Sequence, residues 1–171
     1  MNKMEKRSVM SVLLPVILIV LMLLDGQISN ILRGVTNNQL FLNSHLLLIG
    51  LILGSLYFER KYMVILSISI GILFDVYYYS IIGINMVSLP LTVLLIYVVF
   101  EYVRPSFISI LLSLVIFITI MDSSAYLLQG VFGLINSDFL GFITRNLGPT
   151  MILNGLFYTL LAYPIKKIAK L

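Results

Sequence analysis

The chain has no cysteine and a single histidine among its 171 residues. The first absence excludes disulfides, thiolate metal sites and cysteine nucleophiles, and leaves the compartment open. Charge is scarce too: Asp, Glu, Lys and Arg make up 11% of the chain, against about 25% in a soluble domain. No internal repeat and no low-complexity linker is visible. What is present instead is hydrocarbon, with 60% hydrophobic residues and a mean hydropathy of +1.10. This composition reads as one integral membrane domain. The net charge of +4 does not point to nucleic acid, because the basic residues cluster at the ends of apolar segments.

Six apolar segments can be drawn, at roughly 8–24, 41–58, 62–80, 85–100, 106–128 and 147–165, near the 17–25 residues that a span needs. The predicted fold is an all-α polytopic bundle of six transmembrane helices in a single domain over residues 1–171. Charge placement orients it. Lys3, Lys6, Arg7, Arg60, Lys61, Arg104, Lys166, Lys167 and Lys170 fall on one side, and only Arg33 and Arg145 on the other. The positive-inside rule puts both termini in the cytoplasm. A cleavable signal peptide over residues 1–30 is the rival reading, but no A-x-A-like site follows Leu24. The connections at Glu59–Lys61, Ser80–Ile84 and Glu101–Pro105 read as tight, and the outer ones at Asp25–Leu40 and Gln129–Asn146 as longer.

Two acids interrupt the apolar runs, Asp75 in SISIGILFDVYYYSII and Asp122 in SLVIFITIMDSSAYLLQ. A carboxylate in a bilayer costs roughly 2.5–3.5 kcal/mol on insertion scales and usually faces protein or a polar cavity. At about 1.5 Å per residue, Asp75 and Asp122 lie roughly 20 and 22 Å above the cytoplasmic starts of their helices. His45 falls roughly 6 Å, and Asn154 roughly 10 Å, below the outer end. These four form a candidate polar cluster in the outer half, provided the helix faces converge. Asn85 and Ser88 are placed to cap the fourth helix, and Asp75 could bond to those caps. Gly71 relieves crowding one turn before Asp75, and Gly83 allows a tight turn because glycine tolerates positive φ. Gly50 and Gly54 form a GxxxG that suits close packing inside the bundle.

No complete catalytic set is visible. A serine protease would need a serine paired with a histidine base, and no glycine-flanked serine resembles a nucleophile elbow. A metal site of His45, Asp75 and Asp122 would be short of ligands without waters. An aspartyl pair would need the two acids in apposition sharing a proton. A proton or ion relay remains open, as does a purely structural role bridging helices. No cofactor is expected.

The stretch Gly71-Ile-Leu-Phe-Asp75, followed by Ile82-Gly83-Ile-Asn85 and an apolar helix, resembles the central signature of the rod shape-determining MreD family. Tyr77-Tyr78-Tyr79-Ser80 stands where that pattern has small residues. The resemblance implies a non-catalytic protein of the bacterial cytoplasmic membrane. Its implied setting is the peptidoglycan machinery of the side wall, with the single-span protein MreC, a class B penicillin-binding protein and a transglycosylase of the SEDS class as partners. It also implies a fold similar to the substrate-binding components of energy-coupling-factor vitamin transporters. A small-molecule capture subunit is therefore the alternative, although the first helix lacks the alanines such a subunit presents to its transport module. In the outer loop, Phe132, Leu134, Phe139, Phe142 and Ile143 are the candidate partner contacts, because apolar groups exposed beside a membrane mark a contact surface.

The absence of native cysteine makes the topology directly testable. Single cysteines at Asn37 and Ser137 are expected to react with an impermeant thiol reagent from outside intact cells, and one at Lys167 is not. Labelling at Lys167 would overturn the orientation.

Overall fold

A computed structural model of the chain describes residues 3–134 and 139–169, with side chains placed for 10–134 and 139–161. Seven α-helices follow one another: α1 (Lys3–Val35), α2 (Leu46–Tyr57), α3 (Arg60–Phe74), α4 (Ile84–Tyr102), α5 (Phe107–Val131), α6 (Phe139–Phe142) and α7 (Gly148–Ala169). A π-helical turn, Asp75–Tyr79, prolongs α3, and another, Ile143–Leu147, joins α6 to α7. The run from 139 to 169 is thus helical throughout, and no strand occurs among the described residues. Among the described residues, four helical stretches are long and apolar enough to cross a membrane: Met10–Val35, Arg60–Tyr79, Ile84–Tyr102 and Phe107–Val131.

Short connections make consecutive helices antiparallel neighbours, and α2 lies in the middle, packed on α1, α3, α4 and α7. Its Leu47, Leu48, Leu51 and Ile52 meet Leu18 and Met22 of α1, Met63 and Ile70 of α3, and Val93 and Ile96 of α4 in one core. Phe117 of α5 and Tyr158 of α7 close that core. The GxxxG glycines serve this packing. A methyl group at Gly50 would come within 2.8 Å of Leu18 and Leu21, and one at Gly54 within 2.9 Å of Met63. Gly71 does the same for α3 against α4, where a methyl group would sit 2.5 Å from the Asn85 carbonyl oxygen.

Three boundaries differ from the sequence reading. The first helix does not stop near Leu24 but continues to Val35. Asp25–Leu40 is therefore not an outer loop. Ile28, Ile31, Leu32 and Val35 continue the helical spacing of apolar residues beyond Asp25 and Gly26. The second helix begins at Leu46 rather than near residue 41, because residues 40–45 are non-helical. The Gln129–Asn146 loop is largely helical, since α5 extends to Val131 and the chain is helical again from Phe139. Ser137 lies outside the described residues.

Gly83 opens α4 at φ 134°, a backbone conformation that disfavours every residue with a Cβ. Ser80, with φ 55°, completes the turn from the π segment. The glycines of the α3–α4 contact yield a direct test. The atoms facing Gly71 are backbone atoms of Asn85 and Met86, which cannot rotate away, so Gly71→Ala is expected to cost about 1–3 kcal/mol. Gly155 of α7 has nothing within 4 Å of its would-be methyl. Gly155→Ala is expected to leave the melting temperature in detergent unchanged while Gly71→Ala lowers it. Equal melting temperatures for both variants would show that α3 and α4 do not approach this closely.

Candidate functional site

The polar residues gather at one end of the bundle, around the non-helical stretch that precedes α2. In a low-dielectric setting each main-chain group of such a stretch needs a partner. Here α1, α7 and the π turn before α7 supply them. The Phe41 N–H donates to the Arg145 carbonyl at 2.8 Å, and the Phe41 carbonyl accepts from the Thr150 hydroxyl at 3.3 Å. The Asn43 N–H donates to the Thr150 hydroxyl at 3.1 Å, and the Asn43 carbonyl accepts from Asn154 Nδ2 at 2.8 Å. The Ser44 N–H donates to the Ser29 hydroxyl at 2.9 Å, and the His45 N–H to Asn154 Oδ1 at 2.7 Å.

The first N–H groups of α2 have no helical partner of their own. Asp25, 4% exposed on α1, takes them: Leu46 N–H donates to Oδ1 at 2.7 Å and Leu47 N–H to Oδ2 at 2.8 Å. The Ser44 hydroxyl adds a third bond to Oδ1 at 2.6 Å. Asp75, fully buried, serves α4 in the same way. Gly83 N–H and Met86 N–H donate to its Oδ2 at 2.8 and 3.1 Å, and Asn85 N–H and Nδ2 to its Oδ1 at 2.8 and 3.0 Å. A carboxylate at a helix N-terminus also meets the positive end of the helix dipole. Both helices are thus capped by a neighbouring helix rather than by their own N-cap residue. Ser88, expected as a cap, is instead buried with its hydroxyl unpartnered.

Asp122 differs. His45 Nε2 lies 3.0 Å from Asp122 Oδ1, both side chains being buried. The pair is an ion-pair contact whose ring N–H does not point along a hydrogen bond, and Asp122 Oδ2 has no hydrogen-bond partner. Both residues line a pocket of about 410 Å³ between α1, α3, α5 and the stretch before α2. Asp25, Asn85, Tyr79, Gln129 and Arg33 share its wall. Arg33 donates through one terminal nitrogen to Asn43 Oδ1 at 3.1 Å, lies over the Phe41 ring, and keeps a buried, unpartnered Nε.

The residues expected to cluster therefore divide. His45 joins Asp122 through its ring and Asn154 through its backbone. Asp75 joins Asn85, and it belongs to the α4 cap rather than to the pocket wall. His45 is the residue just before α2 rather than a residue within a helix. No group of three His, Cys, Asp and Glu side chains able to hold a metal ion occurs among the described residues. Sequence reading missed Asp25, Ser29, Ser44 and Thr150, because it placed the first two in a loop. The helical spacing through Val35 was the signal that would have placed Asp25 and Ser29 on α1; no local signal marks Ser44 or Thr150. Among the candidate contacts, Phe132, Leu134, Phe139 and Ile143 are exposed, but Phe142 is 5% exposed and stacks on Tyr126 at 4.3 Å. Phe142 thus packs in the core instead of lying on the surface.

The caps give an ordered prediction. Asp75→Leu strands four donors, at about 1–3 kcal/mol for each that stays buried and unpaired. Asp75→Asn keeps one accepting oxygen and turns an amide towards the donors of the other, so its loss is intermediate. Thermal unfolding in detergent is expected to rank wild type above Asn, and Asn above Leu, with the same order at Asp25. A Leu variant as stable as wild type at either position would remove the capping role.

The rod shape-determining protein MreD family model matches residues 6–171. Neither a curated protein nor a solved structure matches the chain. The match covers nearly the whole sequence and agrees with an all-helical chain rich in membrane-length apolar helices, so the protein belongs to the MreD family, with a role in rod shape determination in the bacterial membrane.

Proposed function

We propose that the protein is a non-catalytic scaffold of the side-wall peptidoglycan machinery, which holds an MreC-like single-span protein together with a class B penicillin-binding protein and a SEDS-class transglycosylase. The observation that supports this reading is how the polar groups are spent. Asp25, Asp75 and Asn154 are committed to main-chain hydrogen bonds between helices, and that leaves a rigid frame rather than a set of reacting groups. Outside the frame, apolar side chains face outward at the end of the bundle that holds the pocket.

In this reading the chain crosses the membrane six times with both termini cytoplasmic. Alone, α2 spans about 18 Å, and in this reading the non-helical residues before it, which can add at most about 3.3–3.6 Å each, complete the crossing. The helical run of residues 139–169 supplies the sixth crossing. The pocket end then faces outward, where Arg33 and Arg145 lie, and the contact surface consists of Phe132, Leu134, Phe139 and Ile143.

Separating this surface from the core gives the test. Phe139 is 65% exposed, so Phe139→Ser combined with Ile143→Ser is expected to leave thermal stability near wild type. It should weaken co-purification of the single-span partner by about tenfold or more, as loss of an interface anchor does. Phe142→Ser is expected to lower stability, because it opens the stack on Tyr126. Full partner retention by the stable double variant would exclude this surface as the contact.

A further inference from the structure

The pocket beside α1 and α5 is not needed for the scaffold role, and its wall holds polar atoms left without hydrogen-bond partners. Asp25 is saturated by three hydrogen bonds. Asp122 is 7% exposed, and one of its oxygens is buried without a partner. Across the same wall Arg33 keeps its Nε buried and unpartnered. A carboxylate oxygen and a guanidinium nitrogen from one pocket wall, each buried without a hydrogen-bond partner, are expensive in a protein unless a bound group meets them. The volume of about 410 Å³ lies in the range of small-ligand pockets, roughly 300–1,000 Å³. Tyr79 lines the same pocket beside these groups. Gln129 adds amide hydrogen-bonding capacity to the same wall.

We propose that this pocket binds a small zwitterion, with an N–H-bearing ammonium on Asp122 Oδ2 and an anionic oxygen on Arg33. A charge-assisted hydrogen bond to a carboxylate needs a proton on the ligand nitrogen. A quaternary ammonium, which has none, fits poorly. The chemistry is shared by two sources: the headgroup of an ethanolamine phospholipid, and a free solute such as phosphoethanolamine.

The full chain is purified in mild detergent and loaded with equal amounts of phosphatidylethanolamine and phosphatidylcholine, and lipid retention is read by native mass spectrometry. Phosphatidylethanolamine is expected to be retained about tenfold over phosphatidylcholine, the factor that one charge-assisted hydrogen bond supports. Asp122→Asn, which keeps the shape and removes the charge, is expected to abolish the preference. Displacement of the bound lipid by soluble phosphoethanolamine assigns the site to a water-borne solute; retention in its presence assigns it to the headgroup. Either result supports the zwitterion site. Equal retention of the two lipids by wild-type protein, with no binding of phosphoethanolamine, overturns it and leaves a pocket that holds water. A folded Asp122→Asn protein with undiminished preference also overturns it. Should that variant fail to fold, the wild-type comparison of the two headgroups decides alone.

Discussion

The structure depends on satisfying main-chain amides where water is scarce. Two helices, α2 and α4, begin within the packed end of the bundle, and the residues before α2 are not helical at all. In a bilayer such backbone is tolerated only where protein or a polar cavity meets its hydrogen-bonding groups. Asp25 and Asp75 meet the helix starts, and Ser29, Thr150 and Asn154 meet the non-helical stretch. Each partner comes from a different helix than the groups it serves. The caps therefore also fix how α1 and α7 stand around α2 and how α3 stands beside α4, which hydrophobic contacts in lipid do weakly, since lipid tails are as apolar as leucine.

Close packing makes those bonds possible. Asp75 can reach the start of α4 because α3 and α4 touch backbone to backbone at Gly71, and because Gly83 turns the chain back at a positive φ. The three consecutive tyrosines that depart from the family pattern form part of the π turn, and Tyr78 lies over Gly26 of α1. The turn thereby links the α3–α4 pair to the helix that carries Asp25. A change at Gly71 is expected to propagate to the α4 cap, although no polar group is altered.

The sequence made the apolar segments, the importance of Asp75 and the Gly71–Asn85 motif legible, because each rests on a cost that no partner can hide. A buried acid and a run of hydrocarbon read the same in any context. What it hid depends on partners far along the chain. Asp25 looks like the first residue of a loop until Ser44 and the α2 amides are brought to it from about twenty residues away. The shortening of α2 is equally invisible, since what keeps Phe41, Asn43 and Ser44 out of the helix is hydrogen bonding to α7 and α1, far along the chain. Phe142 and Phe139 are separated by less than one helical turn and carry the same side chain. Only the packing of Tyr126 shows that one is core and the other surface.

Among the acids of the apolar segments, the contrast lies in what is left over. Asp25 and Asp75 end with every oxygen engaged by main-chain or hydroxyl donors, as residues do whose role is complete within the fold. Asp122 ends with one oxygen on His45 and one on nothing, in a wall it shares with an incompletely paired Arg33. On the faces that meet the hydrocarbon, as opposed to the end of the bundle, exposed apolar surface says little about function, because every lipid-facing side is apolar. Unspent polar capacity is the more discriminating signal, for it costs stability and has no structural use. By that measure the scaffold and the pocket are separable: the first rests on saturated caps, and the second on the one intramembrane carboxylate that the described fold leaves half-used.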